Sequence, residues 1–567
     1  MNERARYACS RARFVPDSEG TFVPATGRET TWNTGRARLH RDAYLGRMDC
    51  AVGRLRWLVG DSSSGTGMAP GTTLEDIGYE ATIGEIHVAM ERGAITASEL
   101  TQWYLDRIDT YDDELGSILY TNDAATERAK TLDRLEGFAG PLHGIPVILK
   151  DNHDTHDMPT SAGSTVLAES KPVGDAHVVS QLREAGAIVL AKANLHEFSF
   201  GVDTISALGG STRNPYDTDR RPGGSSGGTV AAIAANLGCV GTGSDTCSSV
   251  RCPPAFTGLV GVRPTRGLVS RTGIVPLSET QDIPGPITRT VGDAATLLTV
   301  MAGFDPEDPV TGRGFRHFSP PRRGSPVTPA DLDDVRVGVL RQAFEPADPD
   351  QAAALGHSQV MNVTETAMNA IDAAGATLID PVAGVERGKL IRARVLEFEF
   401  ARDFDQYLKE RRPNAPVSSL AELVETGEVA KPVAERIRGE DILDLDCKDP
   451  EQTTEYLSRL RLRTEVRDET LALLAEHDLD AVIYPPSRVL PVRVGEQQPF
   501  TELNCQLAAH TGLPAVTIPA GQTDAGLPVG IEILGRPFED WRLLDIAAAL
   551  EATLEGRVPP SGFGPDG

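Results

Sequence analysis

The stretch from Gly223 to Arg251, GGSSGGTVAAIAANLGCVGTGSDTCSSVR, decides how the rest of the 567-residue chain is read. Two serine-bearing turns, Gly223-Gly224-Ser225-Ser226-Gly227-Gly228 and Ser244-Asp245-Thr246-Cys247-Ser248-Ser249, are joined by small apolar residues that predict a buried helix. Glycines on both sides of a serine pair permit positive φ and let other groups approach the main chain closely, as a site built from backbone N–H groups requires. A flexible tether has the same composition. Here, however, Thr229-Val230-Ala231-Ala232-Ile233-Ala234-Ala235 follows at once, and burial of that segment orders its neighbour. A phosphate-cradling loop is a further alternative, but no Gly-Lys-Ser/Thr follows the glycines.

Outward from this stretch, the residue whose chemistry fits is Lys150, at the end of the apolar run in Gly144-Ile145-Pro146-Val147-Ile148-Leu149-Lys150-Asp151-Asn152. Lys150 precedes Ser225 by 75 residues, and Ser225 precedes Ser249 by 24. These motifs, in this order, resemble the amidase signature family, serine hydrolases of amide bonds that use a Ser-Ser-Lys triad. The resemblance runs from about Leu74 to Glu551 and includes Gly526-Leu527-Pro528-Val529-Gly530-Ile531-Glu532-Ile533-Leu534-Gly535, which is similar to the family's C-terminal strand. It implies an α/β fold, a mixed central β-sheet flanked by α-helices, over residues 68–560, with a mostly helical insertion or lid around 352–476.

The resemblance also implies roles. Lys150 matches the base, Ser225 the bridging serine on a cis peptide, and Ser249 the nucleophile. The N–H groups of Thr246, Cys247, Ser248 and Ser249 match the oxyanion hole, and Asn194-Leu195-His196-Glu197-Phe198-Ser199-Phe200-Gly201 matches a loop lining the acyl pocket, with Ser199 facing substrate. An Asp245–Arg251 ion pair is implied as a brace for the nucleophile turn, the alternative being two independently solvated charges. One departure bears on catalysis: where the family usually carries Gly-Gly before the nucleophile, this chain carries Cys247-Ser248, which must either fit an allowed backbone geometry or store strain.

The chemistry demands such a set. A serine hydroxyl attacks only when a base takes its proton, and no histidine lies between Gly201 and Arg316. A lysine with the usual pKa of about 10.4 is neutral in roughly one molecule in 2,500 at pH 7, and bringing it to about 7.5 requires around 4 kcal/mol of destabilisation of the ammonium, within reach of burial at an apolar strand end. The chain has eight lysines against 47 arginines, and arginine cannot serve as a base. Cys247 as nucleophile is an alternative, set against a small buried thiol. Esters and carbamates are open to the same machinery. No metal or organic cofactor is needed.

Asp+Glu 81 against Lys+Arg 55 leaves a net charge of −26, which argues against nucleic-acid and anionic-membrane partners and fits an acidic, high-salt cytoplasm. No apolar run approaches a membrane span, so a cytoplasmic protein is expected; the resemblance implies a small-molecule amide as the partner, with a homodimer left open. Seven scattered cysteines (Cys9, Cys50, Cys239, Cys247, Cys252, Cys447, Cys505) predict reduced thiols. Residues 1–67, with 11 arginines and no lysine, lack periodicity and are expected to be disordered or a mis-called extension.

Helical periods are predicted from Thr82, from Thr96 with a threonine or serine cap, over Ala124–Leu135, Val178–Ala185 and Trp541–Leu554; strands over Ala187–Ala191, Val335–Leu340, Asp480–Pro486, Pro514–Pro519 and Val529–Leu534. Asp305–Asp331 is expected to be a long surface loop. His153 and His156 have a spacing that a metal site shares, but two loop histidines among carboxylates also serve as hydrogen-bonded groups. Two competing functions remain: the amidase subunit of a glutamine-dependent, tRNA-linked amidotransferase, and a non-catalytic binding protein on the same fold. The changed Cys247-Ser248 pair and the long helical segment favour a stand-alone amidase.

Overall fold

Val147, Ile148 and Leu149 are fully buried, and the run that carries them forms the second strand of an eleven-stranded sheet. A computed structural model describes residues 74–319, 327–445 and 449–564. The expectations for residues 1–67, and Cys9, Cys50 and Cys447, lie outside this range.

The strands are β1 (Ile118–Thr121), β2 (Pro146–Lys150), β3 (Ile188–Ala193), β4 (Val240–Asp245), β5 (Val260–Arg263), β6 (Ile283–Thr288), β7 (Arg336–Val339), β8 (Thr377–Ile379), β9 (Ala481–Tyr484), β10 (Ala515–Gln522) and β11 (Pro528–Leu534). Their order across the sheet is β1-β3-β2-β4-β6-β5-β10-β11-β9-β7-β8. β2 is parallel to both β3 and β4, β9 pairs parallel to β7 and β7 to β8, and the other pairings are antiparallel. The sheet is therefore mixed, with helices packed on it, an α/β architecture. Strands covered on both faces read as continuous apolar runs rather than alternating ones, which is why β2, β3, β9 and β11 are legible in the sequence.

β4 and β6 are less legible. Their sequences, VGTGSD and IPGPIT, are poor in strand formers, yet they lie side by side near the middle of the sheet. Close packing explains the glycine: a Cβ on Gly241 would lie 2.4 Å from Thr229 Cγ2, in the helix Gly227–Ala234 that rests on β4 and β2. Every residue of that helix is buried, as the small-residue run between the two serine turns predicts.

The helices Ile83–Glu91 and Ala97–Leu115, which follow the short helix Leu74–Gly78, both open on capping boxes, Thr82 with Glu85 and Thr96 with Glu99. Thr96 rather than Ser98 is the cap, because Ser98 donates to Asp133. Segment 352–476 holds the helices His357–Ala373, Arg387–Arg392, Leu396–Arg411, Leu420–Glu425, Lys431–Gly439 and Pro450–Glu476, with β8 between the first two joining the main sheet. Its central helices build a separate apolar cluster on Phe198 and Phe200, with Phe404 at 5.3 Å from Phe198 and Phe400 at 5.2 Å from Phe200. The described part of Asp305–Asp331 is anchored rather than free: Ser270 donates to buried Asp305 at 2.6 Å, and Arg271 pairs with buried Asp308. Among the described residues no helix is long and apolar enough to cross a membrane.

Candidate active site

Parallel pairing of β2 with β4 places the ends of both strands at one edge, so Lys150 and the turn after Asp245 meet there. The turn 223–228 completes the edge from the helix side. Gly223 has φ +81°, and the N–H of Gly227 donates to Thr204 Oγ1 at 3.0 Å. A Cβ on Gly228 would lie 2.2 Å from the carbonyl oxygen of Asn194, so only glycine lets this turn seat against the loop behind it. The Gly224–Ser225 peptide is cis.

Lys150 Nζ donates to Ser225 Oγ at 2.7 Å, and Ser225 Oγ donates to Ser249 Oγ at 2.9 Å. The main-chain N–H of Ser225 also donates to Ser249 Oγ at 3.0 Å. Lys150 further reaches Ser244 Oγ at 3.0 Å and its carbonyl at 3.3 Å, while Asn152 donates to the same hydroxyl at 2.8 Å. Lys150 and Ser225 are fully buried, and Ser249 is 5% exposed.

A second buried lysine sharpens the reading of the first. Lys192 Nζ lies 2.9 Å from Asp151 Oδ1, both side chains fully buried, so its ammonium has a counterion. Among the described residues Lys150 has no carboxylate within 4 Å. Burial lowers its pKa to about 7, with Asp282 and Asp245 opposing the shift from a distance.

The turn that carries Ser249 is braced by a buried charge cluster. Asp245 accepts from Val250 N–H at 3.0 Å, from Arg251 Nε at 3.1 Å and from Arg263 Nη1 at 2.6 Å. Arg251 in turn donates to Glu532 at 2.6 Å, which accepts from Tyr484 at 2.7 Å. The Asp245–Arg251 pair that the resemblance implies is formed, and independent solvation is excluded since both side chains are fully buried. Burial raises the Asp245 carboxyl, but Arg251 and Arg263 outweigh it and hold the group below the usual range. Asp245→Asn leaves two guanidinium groups short of one anion, and a loss of about 3–5 kcal/mol in unfolding free energy is expected in denaturant titration.

Thr246 is fixed from two sides: its hydroxyl donates to Asp282 at 2.5 Å, and its carbonyl accepts from Gln281 Nε2 at 2.9 Å. Among the described residues nothing accepts from the main-chain N–H groups of Cys247, Ser248 and Ser249. Ser248 is buried, and its hydroxyl has no partner there either. Ser199, at φ +60°, lies with its Oγ 3.5 Å from Asn152 Nδ2, which places it at the rim of the same polar group.

Cys247 corrects the expectation of reduced thiols. It is joined to Cys505 by a disulfide, Cα to Cα 5.1 Å, although 258 residues separate the two in sequence. The strand β9 leads to a loop that returns past Leu503 against the turn, and Arg251 Nη2 donates to the Cys505 carbonyl at 3.2 Å, which holds the pair in register. A sulfur in a disulfide is no nucleophile, so the bonded state removes Cys247 from that role. Cys239 and Cys252 are free and buried. Reduction is expected to cost about 2–4 kcal/mol of stability and, by loosening the N–H donors, to lower kcat about tenfold with little change in KM. Thiol titration alongside steady-state kinetics checks this.

His153 and His156 take other work. His153 is buried with Nδ1 3.0 Å from Asn152 Oδ1, and His156 pairs with Asp175 at 2.9 Å. The adjacent Asp154 is held by Arg411 and Arg412, each at 3.0 Å, which ties the segment after Lys150 to the end of the helix Leu396–Arg411. No cluster of potential metal ligands occurs among the described residues.

Sequence reasoning missed Asn152, Ser244, Asp282, Gln281 and Arg263. The first two stand inside the quoted motifs and were open to inspection; the last three are placed by β5 and the loop before β6, and nothing local marks them.

The sequence model described as Amidase matches residues 99–544. The chain belongs to the amidase signature family. It is 31% identical over 507 residues to a glutamyl-tRNA(Gln) amidotransferase subunit of Caldanaerobacter subterraneus subsp. tengcongensis, covering 86% of this chain and 99% of the relative. It is 33% identical to the corresponding protein of Moorella thermoacetica, covering 84% and 97%. Among solved structures it is similar to the native peptide amidase of Stenotrophomonas maltophilia, with a TM-score of 0.75, 34% identity, and 85% and 98% of the two chains covered. The glutamyl-tRNA(Gln) amidotransferase subunit of Thermotoga maritima aligns with a TM-score of 0.64 at 27% identity, covering 83% and 94%. This amidase signature protein is an enzyme acting on amide C–N bonds, so the non-catalytic reading is set aside. The partner expectation is corrected too. Relatives named as subunits of a glutamyl-tRNA(Gln) amidotransferase overturn a picture of a small-molecule amide alone and no nucleic acid; net charge described the surface of the chain and carried nothing about partners.

Proposed function

We propose that the chain hydrolyses a carboxamide through an acyl-enzyme on Ser249, with Ser225 and Lys150 as a proton relay. The observation that carries this reading is the unbroken line of contacts Lys150 Nζ to Ser225 Oγ at 2.7 Å and Ser225 Oγ to Ser249 Oγ at 2.9 Å, starting from a lysine with no carboxylate beside it. Neutral Lys150 accepts the Ser225 proton as Ser225 accepts that of Ser249, and Ser249 Oγ attacks the carbonyl carbon. The oxyanion falls to the unused N–H groups of the 246–249 turn. The proton returns along the relay to the nitrogen, the C–N bond breaks, and water releases the acid by the same route. The helices 396–439 act as the lid over the acyl pocket, and Ser199 contacts substrate.

For the amide itself, the curated relatives favour glutamine, hydrolysed in the role of the amidase subunit of a tRNA-dependent amidotransferase. A second reading, hydrolysis of peptide amides, is favoured by the higher TM-score and identity to the peptide amidase structure. Ammonia release from glutamine, with and without the partner subunits of its host, is compared with release from a C-terminal peptide amide. Glutamine turnover that needs the partners supports the first; peptide-amide turnover by the chain alone supports the second. A serine-directed phosphonylating probe that labels the chain nowhere near Ser249 removes both.

A further inference from the structure

A cleft of about 640 Å³ opens beside the helix Pro450–Glu476, away from Ser249 in sequence and lined by none of the triad residues. Four arginines line it, Arg266, Arg313, Arg463 and Arg467, against a single acid, Asp468. This is a local excess of positive charge on a chain whose net charge is −26.

Structural pairing does not use up these arginines. Arg463 is 7% exposed, and its guanidinium meets neutral acceptors: Gln281 Oε1 at 2.7 Å, the Ala509 carbonyl at 3.0 Å and the Thr280 carbonyl at 3.4 Å. Arg266 donates to the Glu279 carbonyl at 3.2 Å, while its buried Nε has no acceptor among the described residues. Arg467 lies 3.8 Å from Asp468, its sequence neighbour. Burial lowers Arg463 to about 9, against the pull of Glu399, and Arg266 to about 10, helped in each case by neighbouring arginines. His510 also lines the cleft, buried and with its Nδ1 unpartnered among the described residues. A buried guanidinium that meets only neutral acceptors keeps an uncompensated charge, and a cleft of ligand size lined by such groups suits a binding site for an anion.

We infer that this cleft binds a small oxyanion, a phosphate or a carboxylate, among Arg266, Arg313, Arg463 and Arg467. Two groups of the cleft wall, Leu471 and Phe538, supply apolar surface for a body attached to the anion. The site is one residue removed from the catalytic edge: Arg463 donates to Gln281, and Gln281 donates to the Thr246 carbonyl at 2.9 Å.

Calorimetric titration of the full chain with inorganic phosphate and, separately, with benzoate, at an ionic strength fixed with sodium chloride, tests the assignment without recourse to activity. Saturable binding of one or both is expected; phosphate alone assigns the phosphoryl class, benzoate alone the carboxylate class. Arg313→Ala with Arg467→Ala, both reaching solvent, should weaken binding at least tenfold, and Asp468→Asn should tighten it at least twofold. Absence of saturable binding for both anions, or an affinity that none of these substitutions moves, overturns the inference.

Discussion

Ser249→Ala lowers kcat/KM by about four orders of magnitude or more, with thermal unfolding nearly unchanged. The size follows from the proposed role: without Oγ no acyl-enzyme can form, and what remains is binding plus the N–H donors. The structure separates this loss from a folding defect, because among the described residues Ser249 Oγ is hydrogen-bonded only to Ser225, while the turn is held by Asp245, Asp282, Gln281 and Cys505. Steady-state kinetics beside a melting curve checks both halves. Activity within tenfold of the unsubstituted chain would remove Ser249 as nucleophile.

Lys150→Met lowers kcat/KM by about three orders of magnitude or more, and Lys150→Arg fails to restore it, since a guanidinium stays protonated. In the proposed relay the neutral amine is the working form, and burial lowers its pKa to about 7. The rate should therefore climb about tenfold per pH unit below 7 and level off above it. Stability carries the opposite face of the same burial. The unfolded chain keeps the Lys150 proton up to about pH 10.5 and the folded chain only to about 7, so stability rises with pH between those values. At and below pH 7 the full cost of burying the amine is present. The Tm of Lys150→Met relative to the parent should thus be most favourable near pH 7 and lose that advantage toward pH 10. A pH-independent rate between 5 and 8, or a constant difference in Tm, would count against a buried neutralised lysine.

How much of this was legible in the residues depends on where each signal resides. Lys150 ends a local apolar run, Ser225 lies among glycines that the packing of Gly228 requires, and Ser249 closes the second turn; each is marked by its immediate neighbours. Thr82 and Thr96 announce their helices because a capping box is complete within four residues. β4 and β6 lacked such marks, for their glycines and prolines are tolerated only where a helix and neighbouring strands close over them. In the sequence Cys247 and Cys505 stand as unrelated thiols, because nothing near either one records the other.

The alternation of helical and apolar segments determined the α/β class, and the family resemblance carried by residues 144–152, 223–228 and 244–249 supplied Lys150, Ser225 and Ser249 as relay candidates and the Asp245–Arg251 brace, since buried strands and short motifs are written in contiguous residues. Only the tertiary structure decided the disulfide at the nucleophile turn, the support from Asp282, Gln281 and Arg263, and the arginine cleft. Those arise where segments as much as 258 residues apart in the chain are brought side by side, and the energy of such contacts is set by burial and distance, which no local pattern encodes.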